Sequence, residues 1–524
     1  MATTHSIISL VVGKLSDLLL QEAIFLYGVR GNVEWMEQEL KRMQCFLEDA
    51  DAKQGDGRVK NWVQDVRDIA YDVEDVIDMF IFRIAPLRKG GLIMESRAIS
   101  ESRSTYGIES IGGTSSSFQD WRLTSPNVQE PDFIGFEKDM ETLVEQLMEG
   151  ELRRCVVSLV GMGGLGKTTL SKKIYNNEKV KKYFNFQAWI FISQEYSVRD
   201  LLQNIVTSYM VISKEELKKV EKMNVAELRY KISENLKEKR YLMVLDDIWK
   251  NEAWDAMKDA LPDMNNGSRI MLTTRNKDVA LYADAQSSPY ELQFLNEDES
   301  WNLFCKKTFP KQDTSCPPDS QKLGGEIVGK CQGLPLAIVV IGGLLSRKET
   351  KEWEKVLKSI SWQFVEGQPQ IYRILSLSYK DLPYELKPCF LYLGIFPEEY
   401  EFSAEKLIHL WVAEGFLQER GHETLAEVGE DFLIELIQRS MIQVAKRNSS
   451  SGIKSCRIHD LLRDLSITKA MENKFLEVHH GNTNVPSSRA RQLAVHQAIS
   501  KYVHFLKLLY SALSSAVVIH PRQR

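Results

Sequence analysis

The residues with the clearest chemistry form one run, Gly161 to Thr168, which reads GMGGLGKT. The run fits the pattern G-x-x-x-x-G-K-[S/T], and it directly follows an apolar stretch at 155–160 that is typical of a buried strand. Backbone N–H groups of such a loop can close around phosphate oxygens, because glycine permits close approach. The four glycines with this predicted role are Gly161, Gly163, Gly164 and Gly166.

The side chains that end this run predict a site for ATP or ADP. Lys167 is expected to reach the terminal phosphates, and the Thr168 hydroxyl is expected to ligate Mg²⁺. Thr169 follows in the first turn of the next predicted helix, where the N-terminal dipole favours anions. A loop of this pattern between a strand and a helix is a specific signal for a P-loop.

Two further strand ends place charged side chains near the predicted phosphates. The segment YLMVLDDIW at 241–249 contains Asp246, which would hold Mg²⁺, and Asp247, which could orient a water. The segment LTTR ends at Arg275, which could contact a γ-phosphate. Acids at a sheet edge and surface arginines are common, so each signal is weak alone. Behind a P-loop, the functional interpretation is favoured.

Short strand-like segments alternate with helical stretches between 155 and 294. Several are apolar throughout, as strands covered on both faces should be, and the alternation predicts a doubly wound parallel sheet. The predicted strands are CVVSLV at 155–160, FQAWIFIS at 186–193, YLMVLDD at 241–247, RIMLTT at 269–274 and YELQF at 290–294. From about 295 to 440 the pattern is helical.

Residues 5–82 are predicted to form a helical bundle, because no single helix can hide its apolar stripe alone. A heptad pattern at 58–82 predicts a buried seam formed by Val59, Trp62, Val66, Ile69, Val73, Val76 and Phe80. A second helix, from about Asn32 to Ala50, carries Val33, Met36, Leu40, Met43 and Leu47 on one side. The Ser-, Gly- and Thr-rich residues 96–127 predict a flexible linker.

The composition favours a cytoplasmic protein that does not bind nucleic acid. The net charge of -5 provides no overall positive field for nucleic acid. The seven cysteines form no Cys-x-x-Cys pair, so neither a zinc site nor a disulfide framework is indicated. The longest apolar run, Leu334 to Leu345, is too short to span a bilayer, and residues 6–26 lack the basic start of a signal peptide.

Three more motifs give the sequence a specific resemblance. GLPLA occupies 333–337, the triplet Ile458-His459-Asp460 lies further on, and the acidic motif EDVID occupies 74–78. In order and spacing, these motifs and the P-loop resemble those of plant coiled-coil NB-ARC (NLR-type) disease-resistance proteins with an Rx-type N-terminus. The family's MHD triplet begins here with Ile458, which is a mild departure from its pattern.

The resemblance implies a multidomain α and α/β fold. Its implied segments are an Rx-type coiled-coil helical bundle at 1–95, a flexible linker at 96–130, a P-loop nucleotide-binding domain at 131–296, a helical subdomain at 297–367, a winged-helix subdomain at 368–480 and a short segment at 481–524 that leads toward leucine-rich repeats. Members of the family usually continue into a long repeat array. Because this sequence ends at Arg524, most or all of that array is expected to be missing.

The resemblance also implies roles for residues outside the P-loop. Pro335 would pack near the adenine, and His459 would approach the β-phosphate of ADP. Phe133 and Ile134 belong to the segment that would cup the base. The residues implied in switching or interaction are Glu74, Asp75, Asp78 and Asp460.

The implied function is an intracellular immune receptor or signalling switch, bound to ADP at rest and to ATP with Mg²⁺ when active. At most it would be a slow ATPase. The implied partners are further copies of the chain, which associate through the bundle and the nucleotide-binding domain, and a full-length relative or a guarded host protein. The first helix would contact the plasma membrane on activation. The winged helix resembles an intramolecular lock, so no nucleic-acid partner is expected.

Three alternatives remain open from the sequence. The first is a truncated accessory or inactive receptor that acts through a full-length partner. The second is an ordinary P-loop enzyme such as a small-molecule kinase, which predicts an acceptor pocket with its own base; no such constellation is evident. The third is a nucleotide-gated DNA-binding regulator, which predicts a basic recognition helix. Residues 404–417, however, contain Glu405, Lys406, His409 and Glu414.

Overall fold

The computed structural model describes most of the chain between 134 and 479 and parts of its two ends. The described residues are 8–9, 11–16, 19, 30–51, 59, 62–67, 69–71, 73, 76–77, 134–194, 196–209, 214–309, 317–362, 370–418, 420–448, 452–479, 492–495 and 517–519.

Helices and strands alternate in the first half of the main described segment, and helices dominate the second. The helices are α1 Arg30–Asp51, α2 Glu137–Met148, α3 Lys167–Tyr175, α4 Glu178–Tyr183, α5 Val198–Tyr209, α6 Lys214–Lys222, α7 Val225–Leu236, α8 Asn251–Lys258, α9 Lys277–Ala283, α10 Glu297–Thr308, α11 Pro318–Lys330, α12 Pro335–Leu345, α13 Thr350–Trp362, α14 Gln370–Asp381, α15 Leu386–Tyr392, α16 Ala404–Ala413, α17 Leu425–Gln438 and α18 Asp460–Glu472, with a 3-10 turn at Leu393–Ile395. The strands are β1 Cys155–Val160, β2 Phe186–Phe191, β3 Tyr241–Ile248, β4 Arg269–Thr274, β5 Tyr290–Glu291, β6 Phe402–Ser403, β7 Gln443–Arg447, β8 Ile453–Arg457, β9 Leu476–His479, β10 Gln492–Val495 and β11 Val517–Ile519.

The central sheet has the strand order β2-β3-β4-β1-β5, and its described strand pairs are all parallel. Strands β3 and β4 are buried along their whole length, which explains their nearly continuous apolar sequence. The predicted doubly wound parallel sheet is therefore confirmed. Strand β5 includes only two of the five residues predicted for it.

The helical region contacts the sheet domain through α12, the helix that GLPLA opens. Pro335 occupies the first turn of α12, where a residue without an N–H loses no helical hydrogen bond. Most side chains of α12 are buried. Gly343 lies against the backbone of Arg439, directly after α17, where an added Cβ would come within 2.8 Å of the Arg439 carbonyl. This close approach packs the helical region against the segment that follows it.

A three-stranded antiparallel sheet, β6-β8-β7, combines with α16, α17 and α18 to give the predicted winged helix. Ser403 caps α16, and Thr424 caps α17 through a capping box with Glu427. Helix α18 follows β8 after only two residues, so the strand fixes the position of the helix start. That start carries the His459-Asp460 pair.

The bundle prediction is correct for α1 and partly correct for the seam of the next helix, where Val59, Val66 and Val73 pack in the bundle core. In α1, Val33, Leu40 and Leu47 are buried as expected. In the described residues of 59–77, the buried stripe contains Val63, Val66, Ala70 and Ile77, whereas Trp62, Ile69 and Val76 are exposed. From the shared positions Val59, Val66 and Val73, the packed stripe advances by four where the predicted seam advanced by three. Both stripes repeat every seven residues, and they differ by one position at alternate steps.

Further strands continue the chain beyond the winged helix. Strands β9, β10 and β11 form a parallel three-stranded sheet in the order β11-β10-β9. In the part of the chain that the structure describes, no helix is long and apolar enough to cross a membrane.

Candidate nucleotide-binding site

The P-loop leaves β1 at Gly161, whose N–H donates to the carbonyl of Thr274 at the end of β4. Gly164 and Gly166 have φ values of 80° and 101°, in the left-handed region that favours glycine. At Gly166, an added Cβ would lie 2.7 Å from Cζ of the buried Phe136. These glycines therefore let the loop turn tightly into α3, as a loop that wraps phosphate with its backbone N–H groups must.

Lys167 is buried at the start of α3, and its Nζ donates to the carbonyls of Gly161 (2.8 Å) and Met162 (3.0 Å). Burial lowers the pKa of Lys167 to about 8, with Asp247 opposing the shift and Arg275 adding to it. The ammonium is thus held inside the loop by two carbonyl groups, and it is charged at neutral pH. Two phosphate oxygens would replace those carbonyls as stronger acceptors.

Thr168 and Asp246 form a compact set of oxygen ligands below the loop. Thr168 Oγ1 lies 3.1 Å from Asp246 Oδ1, and Thr273 Oγ1 donates to the same oxygen at 2.6 Å. Burial raises the pKa of Asp246 to about 6, and the hydrogen bond from Thr273 opposes that shift. A hydroxyl and one carboxylate beside a phosphate site match the ligands that Mg²⁺ takes in nucleotide-binding proteins.

Asp247, the residue after Asp246, is held at the end of β3 by an unusual backbone conformation. Its φ is 61°, and the register of β3 against β4 shifts between Leu245 and Ile248. Its N–H donates to Thr273 Oγ1 at 2.8 Å, and its Oδ2 accepts from the indole N–H of Trp249 at 2.9 Å. These contacts fix the carboxylate next to Arg275, whose Nη2 lies 3.4 Å from Asp247 Oδ2.

Arg275 joins the sheet domain to the winged helix. Its Nη2 lies 3.3 Å from Oδ2 of Asp460, the first residue of α18, and its guanidinium carbon lies 4.4 Å from the centre of the Trp249 ring. Burial and the carboxylates of Glu399 and Glu398 raise the pKa of Asp460 well above its ordinary value, and Arg275 opposes this. Gly163 completes the contact, because an added Cβ there would meet Arg275 and Leu461.

The helical region reaches the P-loop through the GLPLA segment. The N–H of Leu336 donates to the Gly164 carbonyl at 3.2 Å. An added Cβ at Gly164 would lie 2.9 Å from Leu336 Cβ and 3.4 Å from Ile371. Pro335 is half-buried beside this contact, and Ile134 is half-buried before α2. Three separate parts of the chain therefore meet at one phosphate-binding loop.

Comparisons with known proteins agree with this arrangement. A family model of the Rx N-terminal domain matches residues 7–110, one of the NB-ARC domain matches 136–314, and one of the disease resistance protein winged helix domain matches 395–466. The disease resistance protein RPP13 of Arabidopsis thaliana is 38% identical over 95% of this chain and 64% of its own length. The chain belongs to the plant NB-ARC disease-resistance proteins.

A second relative lies in another plant. The ToMV resistance protein Tm-2(GCR236) of Solanum lycopersicum is 35% identical over 93% of this chain and 59% of its own length. The chain thus spans roughly three fifths of these two relatives.

Some residues predicted for this NB-ARC protein lie outside the described part of the structure. They are Phe133 of the base-cupping segment and the acidic residues Glu74, Asp75 and Asp78 of EDVID. The described residues bring together Lys167, Thr168, Asp246, Arg275 and Asp460. Thr169 lies in the first turn of α3, as expected.

Sequence reasoning missed several residues that shape this NB-ARC site. Trp249 contacts both Asp247 and Arg275, and Thr273 binds Asp246 and Asp247. Glu398 and Glu399 bring carboxylates toward Asp460 from the loop before β6. Trp249 is the last residue of YLMVLDDIW, and Thr273 lies within LTTR. Their position at strand ends was the feature of the sequence that could have indicated a role in the site. For the two glutamates there was no such signal, because their approach to Asp460 depends on how two distant segments of the winged helix pack together.

His459 caps α18: its Nδ1 accepts from the N–H of Leu461 at 3.2 Å. Burial lowers the pKa of His459 to about 4, and Glu399 opposes that shift. The imidazole is therefore neutral at physiological pH. A neutral imidazole retains one ring N–H, and the cap uses the other nitrogen as an acceptor. A donor remains that could face a phosphate oxygen.

His459→Asn is expected to change how the stability of the protein depends on pH. The folded pKa of His459 lies below the unfolded value, so the unfolded chain binds more protons as the pH falls. From about pH 7.5 to about pH 5, nucleotide-stripped wild type should lose about 1–2 kcal/mol of unfolding free energy relative to His459→Asn, which keeps a capping side chain. Denaturant unfolding at several pH values measures this difference. Parallel pH profiles would contradict a buried neutral imidazole.

Proposed function

We propose that this chain acts as a nucleotide-dependent switch in plant immune signalling, closed with ADP and open with ATP. The observation that carries the proposal is the ion pair between Arg275 of the sheet domain and Asp460 of the winged helix, beside the P-loop. Arg275, the residue that would sense a γ-phosphate, is engaged here by the winged helix. Occupancy of the phosphate site and domain closure are thereby linked through one side chain.

Nucleotide and metal would be held by the residues that surround the loop. Lys167 would bind the terminal phosphates, His459 the β-phosphate of ADP, and Pro335 would pack near the adenine. Thr168 and Asp246 would hold Mg²⁺, which would neutralise phosphate charge. Thr273 would orient Asp246 for that task through its 2.6 Å hydrogen bond.

Any hydrolysis is expected to be slow in the closed form. Asp247 is the residue that would orient a water, yet its Oδ2 already accepts from Trp249 and pairs with Arg275. Asp247 would then accept from a water through its other oxygen, Oδ1, which restricts where that water can lie. Slow hydrolysis suits a switch, in which the lifetime of the ATP state sets the duration of the signal.

Two states respond to a ligand only through its different affinity for each of them. ADP would favour the closed state through His459, and the γ-phosphate of ATP would compete with Asp460 for Arg275. In the open state the chain would associate with further copies through the N-terminal bundle and the nucleotide-binding domain. We place this activity in the cytoplasm, with the first helix contacting the plasma membrane, and with a related receptor or a guarded host protein as a further partner.

The nucleotide that remains bound after purification tests this function. We expect stoichiometric ADP, released on denaturation and identified by chromatography. Its retention should require Mg²⁺ only in part, because Lys167 and the loop N–H groups bind phosphate directly. Folded protein that retains no nucleotide and binds neither added ADP nor added ATP would refute the proposal.

A further inference from the structure

We propose that Trp249 is a positioning residue that holds Arg275 between Asp247 and Asp460, and thereby sets the preference of the site for ADP over ATP. The inference rests on the proposed switch function and assigns a specificity role within it. Trp249 itself would not touch the nucleotide. It would act by stabilising a cage of two carboxylates and one ring around the guanidinium.

The local backbone explains why Trp249 reaches Asp247. The irregularity at the end of β3 and the left-handed φ of Asp247 turn the chain there. As a result, the side chains of residues two apart come together, and the indole N–H donates to Asp247 Oδ2 at 2.9 Å. A left-handed non-glycine residue costs free energy and persists where its surroundings hold it. The Trp249 hydrogen bond is one of the contacts that do so.

The ring of Trp249 also supports the cation. The guanidinium carbon of Arg275 lies 4.4 Å from the ring centre, within the range of a cation–π contact, and tryptophan is the most favourable ring for it. Arg275 Nη2 lies 3.4 Å from Asp247 and 3.3 Å from Asp460. Among the described residues, the buried Nε of Arg275 has no hydrogen-bond partner. The ring and the two carboxylates therefore supply most of its stabilisation.

Packing alone does not account for Trp249. In the described part of the chain it joins neither of the two apolar clusters to which the nucleotide-binding domain contributes, whereas Trp254, five residues later, is buried in one of them. Trp249 is half-buried with its polar atom used and its face covered by a cation. Such an arrangement orients charged neighbours rather than filling a core.

A competition for Arg275 follows from this cage. A γ-phosphate that recruits Arg275 has to withdraw it from Asp460, Asp247 and the Trp249 ring. ADP has no γ-phosphate and leaves the cage intact. Weakening the cage should therefore tighten ATP binding and, because ADP favours the closed state that the cage stabilises, loosen rather than tighten ADP binding.

The test compares dissociation constants for fluorescent ADP and a non-hydrolysable ATP analogue. Trp249→Phe keeps a ring under Arg275 and removes the N–H donor, and Trp249→Leu removes both. We expect the preference for ADP over the ATP analogue to fall about 5- to 20-fold in Trp249→Phe and further in Trp249→Leu. If one of the two fails to fold, the other carries the test.

Two matched controls distinguish positioning from general damage. Trp254→Phe changes a tryptophan of the same domain that also lies against an arginine, Arg154 at 5.8 Å, away from the loop. It should leave the nucleotide preference unchanged. In an Arg275→Gln background, Trp249→Phe should change the preference by less than about twofold, because the residue through which it acts is gone.

Three results would overturn the inference. Equal changes in the dissociation constants for ADP and the ATP analogue would show that Trp249 has only a structural role. No change in either constant would show that Trp249 does not position Arg275. A shift of full size in the Arg275→Gln background would show that Trp249 acts by another route. None of these three outcomes contradicts the proposed switch function. Wild-type protein that binds neither nucleotide would contradict both the switch function and the role of Trp249.

Discussion

Replacing Lys167 by arginine is expected to abolish useful nucleotide binding while leaving the fold intact. The ammonium lies inside the loop, with its Nζ 2.8 Å and 3.0 Å from two carbonyl oxygens. A planar guanidinium is larger and cannot present a compact charge in that space. Losing charge-assisted contacts to the terminal phosphates should weaken ADP binding by about 100-fold or more. Retained ADP after purification measures the loss.

Lys179→Arg provides the matched control for that substitution. Lys179 is exposed on α4, in the same domain, and the same chemical change there should leave ADP retention unchanged. Thermal unfolding of both variants without nucleotide shows whether the domain is intact. Wild-type levels of ADP in folded Lys167→Arg would show that the P-loop assignment is incorrect.

Replacing Asp460 by valine is expected to release the switch without a trigger. Valine has a similar volume but cannot pair with Arg275, and it removes an acid from the first turn of α18, where the helix dipole favours one. The closed state should lose about 1–3 kcal/mol, which is roughly a 5- to 150-fold change in its ratio to the open state. We expect less retained ADP, and cell death in leaves expressing the variant.

Asp431→Val is the corresponding control, because Asp431 is exposed on α17 of the same winged helix. It should retain ADP and stay silent at equal protein level. The leaf assay reports the whole signalling pathway, so the ADP content decides the molecular question. If Asp460→Val holds as much ADP as wild type, the Arg275–Asp460 pair does not stabilise the closed state.

The local motifs were predictable from sequence because strand, loop and helix signals coincide there. Strands β1 and β4 have the predicted bounds, since apolar runs that are covered on both faces end sharply at polar or glycine residues. Lys167, Thr168 and Asp246 meet because the carboxyl ends of parallel strands share one edge of the sheet. These contacts follow from the local strand, loop and helix patterns and from the common edge at which parallel strands end.

Contacts between domains were beyond the reach of sequence patterns. Nothing near Arg275 in the chain indicates that Asp460 would be its partner, because 185 residues separate them. The position of Leu336 against Gly164 depends in the same way on how domains pack, and that of Glu399 near Asp460 depends on how the winged helix folds. The family resemblance indicated that these segments surround a nucleotide, and the structure supplies the specific pairs.

The bundle shows a different kind of limit. Positions spaced by three and by four satisfy a heptad seam and an ordinary helical stripe almost equally over a few turns. The heptad reading placed Trp62 and Ile69 inside, whereas Val63 and Ala70 are buried. The predicted seam followed the larger apolar side chains, which lie one position before the residues that are packed. Only the partner helices decide between two such neighbouring stripes.

The distance between the winged helix and the nucleotide-binding domain in each nucleotide state tests the central claim most directly. Spin labels at Tyr230→Cys on α7 and Met471→Cys on α18, both exposed positions, report that distance. The exposed Cys45, the half-buried Cys155 and Cys316, which lies outside the described residues, are first replaced by serine. With ADP we predict a single short distance, and with a non-hydrolysable ATP analogue a longer and broader distribution. Asp460→Val should show the long distances even with ADP. Identical distributions in both nucleotides, at saturating concentrations of each, would contradict a switch closed by ADP and opened by ATP.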